Sequence, residues 1–175
     1  MRTKAILIMS TICALTVATA VPVVAAEDTP VSVTLTGGAL SITVPTGSVD
    51  LGHRVNTVEE GTISGSLGEV QVLDARSAAA GAGWVVSVIS TAFTPPSGPT
   101  IGAAEVGYTV GNISKVGTAT YVANNPVALD GAVAAVTATG ITGDNSATWN
   151  PTINVTVAGG MVANVYTGTI THSVV

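Results

Sequence analysis

The sequence predicts an all-β protein in which antiparallel strands form a single-domain β-sandwich. Apolar and polar residues alternate along several segments, as they do in strands that cover a core with one face. Turn residues such as Gly, Pro, Asn and Asp recur at intervals of about 8 to 12 positions. No segment shows a convincing helical period of apolar residues. These patterns favour a sandwich of the Ig-like or Greek-key type with about nine to eleven short strands.

Two strands are predicted close to the N-terminus. Val or Leu alternates with Ser or Thr over residues 31–36, and the alternation resumes over residues 40–44. Between them lies Gly37-Gly38, and glycines allow the backbone to reverse tightly. We therefore predict two short strands joined by a tight turn.

A central strand is predicted at residues 84–89, whose sequence is WVVSVI. Apolar side chains occupy both faces of a strand built from this run, which is typical of a strand that is covered on both sides. The Pro-rich residues 94–99 are unsuited to a strand, because proline lacks the backbone donor, and they predict an exposed loop.

The two-residue period returns in several further segments: 70–72, 106–110, 153–157 and 166–174. Two Ala-rich segments are less decisive. Residues 132–138 contain β-branched side chains and resemble a strand, whereas residues 78–82 are interrupted by Gly81, and a helical turn stays open for either. Turn-forming residues separate the strands at 45–47, 124–126, 130–131, 143–145 and 159–160.

Residues 1–26 have the features of a secretory signal peptide. A basic start is followed by the apolar run Ala5–Ala20, and the small residues Val24-Ala25-Ala26 precede the cleavage expected after Ala26. Cleavage after Ala20 is the second candidate. The apolar run is shorter than the roughly 20 residues of a spanning helix. We expect residues 27–175 to be one secreted domain without a transmembrane segment, and without disulfides because the single cysteine precedes the cleavage site.

Composition excludes several classes of function. The chain has ten acidic and five basic residues, which give a formal net charge of −5. A nucleic-acid-binding protein must neutralise phosphates, so nucleic acid is not an expected partner. Two His and one Cys are too few for a metal cage, and we expect neither a metal nor a cofactor.

We also expect no enzyme. His53 and His172 are the only histidine bases, and neither lies in a recognisable catalytic motif. Five carboxylates are available for glycosidase chemistry in principle: Glu59, Glu60, Asp74, Glu105 and Asp144. However, only 3% of the residues are aromatic, which is too few for the platforms that clefts acting on carbohydrates use.

Candidate binding residues lie near Trp84 and in the last predicted strand. Asp74 and Arg76 precede Trp84, with mostly small residues between them. A carboxylate and a guanidinium two residues apart either lock a turn by hydrogen bonds or form a polar binding edge beside the indole. His172 shares a strand face with Tyr166, which is typical of a packed, hydrogen-bonded histidine.

Three parts of the chain carry short motifs that occur together in one family. Residues 49–52, VDLG, resemble an early strand that ends in Gly. Residues 74–76, DAR, followed by 83–86, GWVV, resemble an Asp-x-Arg segment and a first Trp-x-Leu motif, with Val at the Leu position. Residues 147–151, ATWNP, and the closing 166–174, YTGTITHSV, resemble a terminal Tyr-Thr-Gly-Thr strand.

These motifs are similar to those of the WxL-domain family, the cell-surface domains of Gram-positive bacteria. The resemblance covers roughly residues 45–175, and His172 and Val174 stand at the Trp and Leu of the second Trp-x-Leu motif. It implies a divergent stand-alone member, secreted and associated with the cell wall. The implied role is non-covalent attachment to peptidoglycan, together with partner surface proteins.

The sequence thus predicts a non-catalytic binding domain of the cell envelope. The predicted binding residues are Asp74, Arg76, Trp84, Trp149, Tyr166 and His172. In this hypothesis an aromatic face stacks on a sugar while Asp74 and Arg76 fix its orientation. The alternative is that both tryptophans are core anchors.

A rival hypothesis is a structural subunit of a surface layer or fibre, assembled by pairing of strand edges. Only 9% of the residues are charged, so few charges protect exposed edges against another chain. Self-association is therefore a possible property of this protein.

Overall fold

The computed structural model describes residues 29–175, and the predicted signal peptide, residues 1–26, lies outside the described residues. The chain divides after Thr34 into two compact units, and the second, residues 35–175, contains all the strands of the described part. The strands are β1 (Leu40–Thr43), β2 (Gly61–Ser66), β3 (Val70–Ser90), β4 (Val106–Thr109), β5 (Ser114–Ala123), β6 (Val133–Trp149), β7 (Thr152–Val157) and β8 (Ile170–Val174).

The strands form two antiparallel sheets that pack against each other. The five-stranded sheet has the order β1-β3-β6-β5, with β8 also paired to β3, and the three-stranded sheet has the order β2-β7-β4. In the described part of the chain, only β5 and β6 are neighbours both in sequence and within a sheet, and the other connections pass between the sheets. The predicted all-β antiparallel sandwich is confirmed.

Fewer and longer strands are present than the expected nine to eleven short ones. Residues 70–72 and 84–89, predicted as separate strands, belong to the single 21-residue strand β3. The Ala-rich residues 78–82 between them are part of β3, where its pairing with β6 shifts register. Gly81 has φ 92° at this bulge, a conformation that costs little only for glycine.

Strand β6 also joins segments that the sequence separates. The Ala-rich residues 132–138 lead into a 17-residue strand, which confirms the strand interpretation of that segment. The turn predicted at residues 143–145 is instead an irregularity inside β6, where Gly143 has φ 71°. A bulge and a turn use the same residue types, because both need positive φ, so the local sequence does not distinguish them.

The strand predicted at residues 31–36 is wrong. These residues have no strand assignment, and Val31, Val33 and Leu35 are 91%, 96% and 88% exposed. A strand needs a paired edge, and residues 31–36 pair with no strand of residues 29–175. β1 and Ala39 use the edge of β3 as far as Ala75, and from Val85 onward β8 and Val175 occupy it.

Residues 84–89 lie in a central part of β3, as predicted, because β6 and β8 pair on either side. The expectation that both faces are covered is wrong. Trp84, Val86 and Val88 are buried, but Val85 is half-buried and Ile89 is 38% exposed. The three-stranded sheet covers the inner face alone.

The core fills the space between the sheets. Its largest fully buried side chains come from both sheets and from the loop before β6: Trp84, Trp149, Tyr108, Leu129, Ile141 and Ile153. The alternation predicted at residues 153–157 is confirmed, since β7 buries every second side chain.

Two strands, β2 and β5, were not predicted. Their sequences, GTISGS and SKVGTATYVA, are rich in small and polar residues, so their apolar period is weak. β2 is held by pairing with β7, and β5 by pairing with β6. Each strand is therefore specified by its partner more than by its own composition.

Helical structure in residues 29–175 is limited to the 3₁₀ turn Ala103–Glu105. No helix in this range is long and apolar enough to cross a membrane.

Replacing Ile153 by alanine should lower the free energy of unfolding by about 2–5 kcal/mol, because this side chain is fully buried in β7. Urea denaturation measures the change. The matched substitution Val127→Ala, at a side chain that is 87% exposed, should stay within about 0.5 kcal/mol of the parent. Equal losses at the two positions would contradict the core assignment.

Candidate functional site

Asp74 and Arg76 form an ion pair inside the five-stranded sheet. The Asp74 side chain is fully buried, whereas that of Arg76 is 36% exposed. Arg76 Nε donates to Asp74 Oδ1 at 2.8 Å and Nη2 donates to Oδ2 at 2.9 Å. The Arg76 backbone N–H also donates to Oδ1, at 3.2 Å. This forked geometry is the strong form of an arginine–carboxylate contact.

Asn145 extends the pair to two aromatic side chains. It lies opposite Asp74 in the register of β3 and β6, and its Nδ2 donates to Asp74 Oδ2 at 3.1 Å. Asn145 Oδ1 accepts from Trp84 Nε1 at 3.0 Å and from the Tyr121 hydroxyl at 3.3 Å. The Trp84 and Tyr121 ring centroids lie 5.6 Å apart. Every buried polar group of this cluster therefore has a partner.

The charges of the cluster are set by these contacts. Hydrogen bonds from Arg76 hold the pKa of Asp74 below its usual value, although burial acts in the opposite direction. Burial, and to a lesser extent the Asp74 charge, raises the pKa of Tyr121. Arg76 Nη2 also donates to the Gly83 carbonyl at 3.1 Å, which closes the base of the irregular residues 77–82. We call this cluster of Asp74, Arg76, Asn145, Trp84 and Tyr121 the lock, because it holds together the two parts of β3 on either side of residues 77–82.

Trp84 does not present a binding face. It is 2% exposed, as is Trp149, so neither ring can stack on a sugar in this conformation. The expectation of an aromatic platform beside Asp74 and Arg76 is wrong. The alternative, that both tryptophans are core anchors, fits the structure, because each indole is buried and its N–H has an acceptor within the protein.

A second cluster links the two sheets through Trp149, Tyr108 and His172. Trp149 Nε1 donates to the Tyr108 hydroxyl at 2.9 Å, and that hydroxyl lies 3.0 Å from His172 Nε2. The Tyr108 and His172 rings meet edge to face, with centroids 5.5 Å apart. Tyr108 belongs to the three-stranded sheet, and the other two residues belong to the five-stranded sheet.

The positions of the protons in this cluster follow from which of its groups can donate a hydrogen bond. Burial lowers the pKa of His172 to about 4 and raises that of Tyr108, so both side chains are neutral at pH 7. An indole N–H can only donate, so the Tyr108 oxygen accepts from Trp149. Its own proton is then directed at His172 Nε2, which places the imidazole proton on Nδ1.

A cleft of about 970 Å³ opens at the side of the sandwich where β2 and β8 lie. Its apolar walls include Ile63, Val155, Val157, Phe93 and Ile170. Residues 44–56, between β1 and β2, and residues 161–169, between β7 and β8, form the rest of the lining. This volume lies at the upper end of the range of about 300–1,000 Å³ that is typical of ligand pockets.

The larger polar side chains in the cleft lining include Asp50, His53, Arg54, Asn56, Tyr166 and His172. Several of them fasten the cleft loops. Asn56 Nδ2 donates to the Met161 carbonyl, and Arg54 Nη2 donates to Thr57 Oγ1 at 3.1 Å. The Tyr166 hydroxyl donates to the Val162 carbonyl at 2.8 Å. The cleft is therefore pre-formed by contacts within the chain.

The six predicted binding residues do not form one site. Asp74, Arg76 and Trp84 meet in the lock, and Trp149 contacts His172 only through Tyr108. Tyr166 and His172 line the cleft. Sequence reasoning missed Tyr108, Tyr121 and Asn145, and it did not place residues 44–56 at a site. Each contact joins residues far apart in sequence, so no local pattern could have indicated it.

A smaller cleft of about 300 Å³ is lined by Glu60 and Glu105, among other residues. Residues 29–175 contain no group of three or more His, Cys, Asp or Glu side chains that could hold a metal ion. Of the carboxylates considered for glycosidase chemistry, Asp74 is committed to its ion pair. Asp144 accepts hydrogen bonds from the Ser77 backbone and hydroxyl.

Comparison with protein-family models, with curated proteins and with solved structures finds no match to this chain. Membership of the WxL-domain family therefore stays a prediction.

Replacing Arg76 by alanine should lower stability at pH 7 by roughly 1–3 kcal/mol, because it leaves the buried Asp74 carboxylate without its charged donor. Arg76→Lys keeps the charge but not the fork, so its loss should be intermediate. Because the folded-state pKa of Asp74 is lowered, the contribution of the pair is present above the unfolded pKa of about 3.9 and disappears as pH falls through the folded value. Urea denaturation at pH 7 and pH 3 tests both points, and an Arg76→Ala variant as stable as the parent at pH 7 would refute the lock.

His172 should make the fold sensitive to mild acid. Its folded pKa of about 4 lies below the unfolded value of 6.5, so its contribution is complete above pH 6.5 and is lost as pH falls toward 4. The slope should reach up to about 1.4 kcal/mol per pH unit. His172→Gln should lose this component, whereas His53→Gln, at an exposed position, should keep the parent profile. Indistinguishable profiles for the parent and His172→Gln would contradict the assignment.

Proposed function

We propose that this protein is a secreted, non-catalytic binding domain of the bacterial cell envelope, which attaches non-covalently to peptidoglycan or to a partner surface protein. The observation that carries this proposal is the cleft between β2 and β8. It is the larger of the two clefts described above, at about 970 Å³. The cell-surface location rests on the signal-peptide features of residues 1–26 and on the WxL resemblance.

The lining of the cleft favours a ligand with both apolar and hydrogen-bonding groups. Ile63, Val157 and Phe93 offer apolar contact, while Asn56 and Tyr166 offer polar groups near the loops. Short peptides combine such groups, as do N-acetylated sugars, and peptidoglycan contains both. The formal net charge of −5 works against strongly anionic polymers of the envelope. This balance supports the peptide and amide parts of the wall, or a protein segment, as ligand.

The resemblance supports the same location. The terminal segment similar to the Tyr-Thr-Gly-Thr strand contributes Tyr166, Thr167, Gly168, Thr169 and Ile170 to the cleft lining. The Asp-x-Arg segment contributes the lock on β3 instead of a ligand contact. In the proposed function, therefore, the lock maintains the fold, and the cleft recognises the ligand.

The second candidate function is a subunit of a surface layer or fibre. One observation favours it: residues 31–36 have the alternating pattern of a strand, but their apolar side chains are exposed.

Blocking the cleft should abolish retention on cell walls. Ala163 is exposed and lines the cleft, so Ala163→Trp places a bulky indole at the cleft without replacing a core side chain. The matched control is Ala79→Trp, at an exposed alanine in β3 outside the cleft lining. The protein is prepared as residues 27–175, the chain expected after cleavage of the signal peptide. It is mixed with purified insoluble Gram-positive cell walls over a salt series, and the fraction that co-sediments is measured.

The proposal expects retention of the parent and of Ala79→Trp, and at least tenfold weaker retention of Ala163→Trp. Equal retention of all three proteins would remove the cleft from the proposal. Failure of the parent to sediment at any salt concentration would reject wall binding and leave a protein partner as the ligand.

A further inference from the structure

Residues 31–36 carry exposed apolar side chains in a strand-like pattern. Val31, Val33 and Leu35 are 91%, 96% and 88% exposed, and Ser or Thr occupies each position between them. In an extended chain, alternate side chains lie on one face, so the segment presents one apolar and one hydroxyl face. It contains no charged residue. Burial of this face therefore requires no desolvation of a charge.

The cleft offers the complementary surface. β8 pairs with β3 on one side, and no second strand partner of β8 occurs in residues 29–175. Ile170 and His172 of this strand line the cleft beside apolar side chains of β2 and β7. The cleft thus combines an unpaired backbone edge with apolar walls. These two features are what an added strand requires, because backbone hydrogen bonds give affinity and side-chain pockets give specificity.

We infer that residues 31–36 of one copy dock as an added strand along the free edge of β8 in a second copy, with Val31, Val33 and Leu35 in the cleft. This inference rests on the proposed function, in that the cleft is the binding site, and it identifies the partner surface protein as a second copy of this chain. Six extended residues span about 20 Å, which is close to the length of the five-residue strand β8.

One competing acceptor in the same sheet, the outer edge of β5, is less suitable. Pairing of β5 with β6 shifts register on both sides of Thr118, and Gly117 has φ 86°. Lys115 adds an exposed charge near the start of the strand. Bulges and lysines are devices that protect a sheet edge against another chain. In residues 170–174 the pairing with β3 is regular, and no Lys occurs.

Docking of this kind is head to tail, because the donor segment and the acceptor cleft are different surfaces. Each copy then has a free donor at one end and a free cleft at the other, so assembly continues as an open chain unless the rotation between copies closes a ring. A surface fibre would form by this route.

The experiment combines a donor variant and an acceptor variant of the exported protein. Val33→Asp places a charge on the apolar face of the donor, at a position where its exposure leaves folding unaffected. Ser32→Asp is the matched control on the opposite face of the same segment. Ala163→Trp blocks the cleft while the donor stays intact. Size-exclusion chromatography with light scattering over a concentration series measures the mass of each protein alone and of mixtures.

The parent and Ser32→Asp should form concentration-dependent oligomers, and Val33→Asp and Ala163→Trp should each be monomeric, with self-association weakened at least tenfold. An equimolar mixture of the two monomeric variants should form heterodimers and no longer chains, because one intact donor and one intact cleft remain. A monomeric parent at all concentrations, oligomers of Val33→Asp equal to those of the parent, or an inert mixture would overturn the inference.

Wall retention of Val33→Asp separates the two proposals. If Val33→Asp is monomeric and still sediments with walls, while Ala163→Trp does not, the proposed attachment to walls stands whether or not the protein assembles. If no variant sediments with walls and the mixture still forms heterodimers, wall binding fails and docking between copies stands. If Val33→Asp assembles like the parent, the docking inference fails whatever the walls retain.

Discussion

Asp74 places a carboxylate inside the five-stranded sheet, at a position without solvent access. A buried charge is tolerated only when it is paired and hydrogen-bonded, so the surrounding chain must supply donors. Arg76 supplies them from the same strand and Asn145 from the facing strand. Asn145 in turn fixes the Trp84 indole. This requirement explains why β3 and β6 remain paired across an irregular middle section that small residues alone would not hold.

The lock also determines what surrounds it. Because Arg76 bonds to Gly83 across residues 77–82, the two ordered parts of β3 are brought together, and β1 and β8 share one edge of that strand. The same arrangement gives β8 an outer edge without a strand partner in the described chain. A strand with one unpaired edge beside a cleft is thus a consequence of this topology.

The cluster of Trp149, Tyr108 and His172 connects the core with the cleft. His172 both lines the cleft and is hydrogen-bonded to the Tyr108 hydroxyl at the sheet interface, so its protonation would disturb a buried network as well as the cleft wall. If the predicted resemblance to the WxL-domain family holds, His172 replaces the Trp of the second Trp-x-Leu motif. In this chain the indole that joins the cluster comes from Trp149 in β6, and the imidazole supplies the acceptor that a second indole could not provide.

The sequence by itself determined the fold class, because alternation with a period of two is a local property that each strand carries. Residues 153–157 are a strand for that reason, whereas β-branched side chains favoured the strand in residues 132–138, and the Gly159-Gly160 turn follows from its composition. Only the tertiary structure decided that Trp84 is buried, that Asn145 completes the Asp74 lock, and that residues 31–36 pair with no strand of the described residues 29–175. Those outcomes depend on which strand edge is already occupied and on contacts between residues far apart in the chain, and neither is encoded in a local pattern.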